Sequence, residues 1–240
     1  MKIIKSCLFL VSLLFSTVLL HAQTADEIIA KHIEAVGGKD KLAGLTSLKL
    51  ETSIDAMGNA ASGAIVMVNG KGYRNESDFG GQKVVQVYTD KGGWAVNPFT
   101  GINDPAPMPD DQYKGGQHQI YIEPFLDYAA KGLKVELTGK EKVGSVEAYK
   151  INLTTASGAT TAYYFDPTTY YIIKTVVSAD VMGQKVDIVS TYSDFVKSDY
   201  GYVMPQTVAI EFGSQFSMTS KITKSEINGT VDPAVFEMKK

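Results

Sequence analysis

A chain whose apolar residues alternate with polar ones must lie extended with one dry face and one wet face, and from Thr46 onward this one does so repeatedly. Leu48, Leu50 and Ile54 alternate with polar neighbours, and the pattern returns in Tyr149, Ile151 and Leu153 and in Val208, Ile210 and Phe212. It returns again in Phe216, Met218 and Ile222, with Gln215, Ser217, Thr219, Lys221 and Thr223 on the opposite face. A period of two with one polar face predicts antiparallel strands. Turn-forming residues separate the runs: Met57-Gly58-Asn59, Asn69-Gly70, Phe79-Gly80-Gly81, Asp90 to Gly93, Asp166-Pro167, Met182-Gly183 and Gly213-Ser214. The count of runs predicts ten to twelve strands in a mainly β meander curving round one core.

Before Thr46 the period is helical. Thr24 followed by Glu27 is a capping-box pattern, Gly37-Gly38 supplies a stop, and Ile28, Ile29, His32, Ile33 and Val36 share one stripe. These residues predict a helix over 25–36 with one face on something apolar, and a short helical turn over 39–45. His32 on that stripe reads as a residue at the edge of the core, with ligand or catalytic work as the other reading.

The first 23 residues have the layout of a secretory signal peptide: Lys2 and Lys5, an apolar run from Cys7 to Leu20, and small Ala22 beside the cut. The run is shorter than the ~18 to 20 residues a membrane-spanning anchor requires, so export with cleavage is expected. Residues 24–240 would form a single domain, since all-β chains of roughly this length fold as one. Cys7 is the only cysteine and lacks the small, apolar approach of a lipid-modified residue. The expected protein is therefore exported, without thiol, disulfide, acyl anchor or transmembrane anchor, and monomeric. The leader takes two of the 23 bases and none of the 26 acids, which leaves a net charge of −5. That balance argues against nucleic acid as a partner. Arg74 is the only arginine, which limits bidentate recognition of phosphate or carboxylate.

One stretch interrupts the strand rhythm. Gly101 to Gly116 holds Pro105, Pro107 and Pro109 and reads as a long loop. In Gln117 to Lys131, Ile122, Phe125, Leu126 and Ala129 recur at helical spacing, so a helix is expected, either plugging the core or forming a movable flap over a cavity.

Catalytic chemistry finds little to use. Beyond the leader only His32 and His118 remain, in no metal-ligand spacing and with no cysteine to assist, so no metal and no cofactor are expected. No Gly-x-Ser-x-Gly elbow is present. Asp104, Asp110 and Asp111 lack the ligand spacing of a calcium loop, and Asn69-Gly70-Lys71-Gly72 reads as a hairpin turn and not a phosphate loop. The reading is that this is not an enzyme.

Several segments, taken in order, resemble a known family. The capped helix ending in Gly-Gly is followed by Gly72-Tyr73-Arg74 and by the run Tyr88 to Phe99, which contains Gly92-Gly93-Trp94-Ala95-Val96. Then come Tyr164-Phe165-Asp166-Pro167, Ile172-Ile173-Lys174, Asp194-Phe195, Gly201-Tyr202-Val203-Met204-Pro205, and finally Val231-Asp232-Pro233-Ala234-Val235-Phe236. In this order they are similar to the LolA-type outer-membrane lipoprotein-sorting superfamily (LolA, LolB and LppX-like proteins). The resemblance implies an unclosed antiparallel half-barrel whose concave face is covered by helices and encloses an apolar cavity. It also implies a carrier or sensor in the periplasm that shields lipid or lipoprotein acyl chains from water. An exposed methylene costs about 0.8 kcal/mol, so such a shuttle needs a pocket and no catalysis.

By strand parity, Val85 and Val87 share a face, as do Trp94 and Val96; with Ile122, Phe125 and Leu126 of the covering segment they are the expected cavity lining. Arg74 matches an arginine that family members carry on an early strand, and the resemblance implies that it bonds to the lid and gates opening. A surface ion pair with Glu76 or Asp78 is the other reading of Arg74. Inward apolar side chains make a filled core as readily as an empty one. The alternative to a carrier is therefore a noncatalytic module with a filled core that binds another cell-envelope protein through an exposed sheet edge or patch. A hydrolase would need His32 or His118 within reach of a nucleophile.

Overall fold

The computed structural model describes residues 23–181, 184–214 and 216–239, so the leader and the Met182-Gly183 turn lie outside the described residues. Thr24 caps helix α1 (Ala25–Val36): its hydroxyl accepts from the Glu27 amide, the Glu27 carboxylate accepts from the Thr24 amide, and Gly37 ends the helix. Such a reciprocal cap satisfies two amides that the first helical turn otherwise leaves unpaired. A five-residue helix α2 (Lys39–Ala43) leads into the sheet.

The sheet has thirteen antiparallel strands, one more than the highest number expected from the sequence. In chain order the first six are β1 (Ser47–Ala56), β2 (Asn59–Val68), β3 (Gly72–Phe79), β4 (Gln82–Thr89), β5 (Gly93–Asn97) and β6 (Ile102–Pro107). The rest are β7 (Lys134–Val143), β8 (Val146–Thr154), β9 (Thr160–Phe165), β10 (Ile172–Val181), β11 (Gln184–Lys197), β12 (Val203–Phe212) and β13 (Phe216–Ile227). Their lateral order is β6-β5-β4-β3-β2-β1-β13-β12-β11-β10-β9-β8-β7. The one non-sequential pairing in it joins β1 to β13, and the sheet stays open between β6 and β7. The other predicted turns fall between strands as expected; Gly80 and Gly81, both at positive φ, close the β3–β4 hairpin in a conformation that L side chains rarely adopt.

The open sheet is curved. Tyr73 on β3 and Tyr163 on β9 line the same cavity although seven strand steps separate them, about 34 Å along a flat sheet. Pairing registers fix which residues share the concave face: Leu48, Met67, Tyr73 and Tyr88 stand side by side across four strands, as do Ile151, Tyr163, Thr175 and Ser190 across another four. Helix α1 lies on this face and buries Ile28, Ile29, Ile33 and Val36 against Leu48, Ile151, Leu153 and Phe165 in the main hydrophobic cluster.

Two segments depart from the sequence reading. The expected loop over 101–116 contains strand β6 and a helix α3 (Asp110–Gly116). Pro105 and Pro107 are tolerated in β6 because it is an edge strand, where a missing amide breaks no ladder. The expected helix over 117–131 is instead two 3₁₀ turns, Gln117–Ile120 and Tyr128–Lys131, with an irregular stretch between them. Pro124 accounts for the break, since a proline inside a helix removes a hydrogen bond and collides with the preceding turn. This covering segment still packs on the concave face through Ile120, Ile122 and Phe125. No helix among the described residues is long and apolar enough to cross a membrane.

Candidate functional site

Where α1 and the covering segment meet the sheet, a polar and aromatic cluster is walled in. His32 is 2 % exposed; its Nδ1 is 2.8 Å from the Tyr170 carbonyl oxygen, which accepts from it, and its ring meets Phe125 and Phe165 edge-on. Glu123, itself buried, places Oε2 3.4 Å from His32 Nε2, but without the alignment of a hydrogen bond. The Glu123 Oε1 accepts from the Phe125 amide at 3.1 Å, and Lys131 donates to the backbone carbonyls of Glu123 and Leu126. Phe125 also packs edge-on against Tyr163, with ring centroids 4.9 Å apart.

Beside this cluster lies a cavity of about 280 Å³. Its walls include His32, Glu123 and Ile122 on one side and Tyr73, Tyr163, Thr175, Tyr192 and Tyr202 on the other. Burial pushes the phenols of Tyr73, Tyr163, Tyr192 and Tyr202 up, so all four remain protonated at neutral pH. Burial acts the opposite way on His118, whose imidazolium it disfavours.

Beyond the covering segment the concave face continues with no further covering element among the described residues. Val177 on β10, Ile188 on β11, Val208 and Ile210 on β12 and Met218 on β13 share this face by register. All five are partly exposed, and none belongs to the three buried clusters. They form an apolar trough continuous with the face that carries the cavity.

The residues expected to line one cavity fall into two groups on opposite faces. Ile122, Phe125 and Leu126 are on the concave side: Ile122 lines the cavity, Phe125 is 1 % exposed in the core, and Leu126 packs at its margin. Val85, Val87, Trp94 and Val96 do share a face, in the pairs Val85–Val96 and Val87–Trp94, but it is the outer one. There they pack under the C-terminal 3₁₀ turn (Pro233–Phe236) together with Val231, Val235 and Phe236. Arg74 is on the same outer face: it donates to the Val235 carbonyl at 3.1 Å and to Glu76 at 2.6 Å, and its guanidinium lies 5.5 Å from the centre of the Trp94 ring. The ion pair with Glu76 read from the sequence is present.

Sequence reasoning missed the tyrosine wall and Glu123. The signal was there in part, because Glu123 is a lone acid between Ile122 and Pro124 in an apolar run, and such a residue is rarely buried without a partner. The two sheet edges are both protected. Strand β6 is short and carries two prolines, and β7 presents Lys134, Glu136, Lys140 and Lys142. Both devices discourage strand addition, which weakens the reading of an edge-binding module. Among the described residues no three His, Cys, Asp or Glu side chains converge as a metal site.

No family profile and no curated protein matches the chain in sequence. Solved structures do match in fold. A LolA superfamily protein from Nitrosomonas europaea superposes with a TM-score of 0.59 at 14% identity, over 91% of this chain and 99% of that one. An outer membrane lipoprotein-sorting protein domain from Vibrio parahaemolyticus gives 0.56 at 11% identity, over 88% and 94%. A DUF1329 family protein from Desulfovibrio piger gives 0.51 at 11% identity, over 90% and 98%.

Proposed function

Because the chain has the fold of the LolA lipoprotein-sorting superfamily, we propose that it is a noncatalytic periplasmic carrier or sensor that holds an apolar ligand, a lipid or the acyl chain of a lipoprotein, on its concave face. The observation that carries this reading is the trough of Val177, Ile188, Val208, Ile210 and Met218, partly exposed apolar side chains that share the concave surface and lie outside the buried clusters of the described residues. Partly exposed apolar side chains gathered on one concave surface mark a binding site more often than a chance of packing. An acyl chain laid along them recovers about 0.8 kcal/mol for each methylene removed from water.

The covering segment with Ile122, Phe125 and Leu126 and helix α1 lie on the same concave face as the trough. In this account the leader directs export, and the ligand is received from and delivered to other envelope components. A fluorescent long-chain fatty-acyl probe tests the reading. The protein is expected to bind it, and Ile188→Asp or Ile210→Asp, at partly exposed positions where folding survives, is expected to abolish binding. Unchanged probe binding in both variants would contradict the trough as the site.

A further inference from the structure

We propose that the cavity beneath the covering segment receives the uncharged, oxygen-bearing end of the lipid, an ester or hydroxyl group of an acylglycerol, and rejects the ionised head of a free fatty acid. This inference rests on the carrier reading and names the ligand class for the same face.

Three observations support it. First, the cavity wall is rich in hydrogen-bond donors that the protein leaves unused. The hydroxyls of Tyr73, Tyr163 and Tyr202 have no hydrogen-bond partner among the described residues, whereas Tyr192 pairs with Thr175 at 3.1 Å. Among those residues His32 Nε2 is the one buried side-chain polar atom both sealed from solvent and without a partner, so the three phenol oxygens of these cavity-lining residues keep some exposed surface. A phenol that the fold leaves unpaired can donate to a ligand carbonyl or hydroxyl once that ligand displaces solvent from the wall.

Second, no cation waits for an anionic head. None of the described residues lining the cavity is Lys or Arg, and Lys131 is turned to the Glu123 and Leu126 carbonyls and the Tyr121 ring. A carboxylate or phosphate moved into such a site loses its hydration without gaining a counter-charge.

Third, the wall carries a carboxyl group where an anionic head would have to sit. The Glu123 carboxyl is 6 % exposed on the cavity wall, and after burial its field is the next cause that raises the Tyr202 phenol. A second negative group at those hydroxyls meets the same field. A neutral ester or alcohol does not, and it accepts from the phenols.

The test is titration of the purified protein at pH 8, where a fatty acid is ionised, with monomyristoylglycerol, with myristate and with a neutral naphthalene dye as a head-free apolar probe. The expected result is monomyristoylglycerol binding at least about tenfold tighter than myristate. Tyr163→Phe and Tyr202→Phe should each weaken it about fivefold, the size of one lost hydrogen bond, with melting temperature and dye affinity unchanged. Dye binding with equal or tighter affinity for myristate would overturn the head-group inference and leave the carrier reading standing. Affinity for none of the three would overturn both.

Discussion

Trp94 on β5 donates its indole N–H to the Phe236 carbonyl oxygen at 2.8 Å, across 142 residues of chain. With the Arg74 bond to the Val235 carbonyl it fastens the C-terminal turn over Val85 and Val87. The outer face of β3, β4 and β5 is therefore a second small core, separate from the trough.

That fastening leaves no room beneath the turn. A Cβ built on Gly72 would stand 2.9 Å from three atoms of the Phe236 ring. Gly72→Ala is expected to destabilise the protein by about 1–3 kcal/mol through overpacking. In a double-mutant cycle with Phe236→Ala, urea denaturation should show most of that cost disappearing, because the colliding ring is gone.

Glu76 makes the outer face sensitive to acid. Lys83 foremost, and Arg74 after it, hold its carboxyl below the ordinary 4.5, against an opposing effect of burial. A carboxyl lowered in the native state contributes stability that is fully present above its unfolded-state value and is lost as pH falls through the native one. Glu76→Gln should therefore lower the denaturation midpoint at pH 7 and converge with the parent protein as the pH drops well below 4.5. A difference that stayed constant from pH 7 to pH 3 would contradict this assignment.

Helix α1, which packs on the concave face, depends on its cap. Thr24→Ala removes the hydroxyl that accepts from the Glu27 amide, and a loss of about 1 kcal/mol in a urea titration is expected. Thr24→Asp, which keeps an acceptor there, should retain most of the stability.

Phe125 and Ile210 separate packing from binding. Phe125 is 1 % exposed among Tyr163, Phe165 and His32, so Phe125→Ala should cost about 3–5 kcal/mol. Ile210 is partly exposed in the trough, and Ile210→Ala should change stability far less while weakening acyl-probe binding. Calorimetry of both variants with and without the probe checks the contrast.

The sheet was legible in the sequence because its signals are local: alternation within each strand and glycines where the hairpins reverse. The capped helix was legible for the same reason, since Thr24 and Glu27 are three residues apart. What parity within a strand does not reveal is which of two faces becomes concave. On β4 and β5, Val85, Val87, Trp94 and Val96 point outward, while the concave face receives Val84, Gln86, Tyr88 and Ala95. The reversal is caused by the C-terminal turn, which lies more than 130 residues away in sequence and supplies apolar cover to the outer side. The irregular covering segment follows from Pro124, whose effect outweighed the helical spacing of its neighbours. The tyrosine wall comes from strands β3, β9 and β11 and the β11–β12 turn, so it exists only once the sheet has curved.

The central claim is that the concave trough holds an apolar ligand. The most direct measurement is native mass spectrometry of the protein recovered from its own cell envelope, with organic extraction of whatever accompanies it. The account predicts a stoichiometric lipid or acylated peptide that is lost in Ile188→Asp and retained in Gly72→Ala. A protein recovered empty that also fails to take up fluorescent fatty-acyl probes would contradict it.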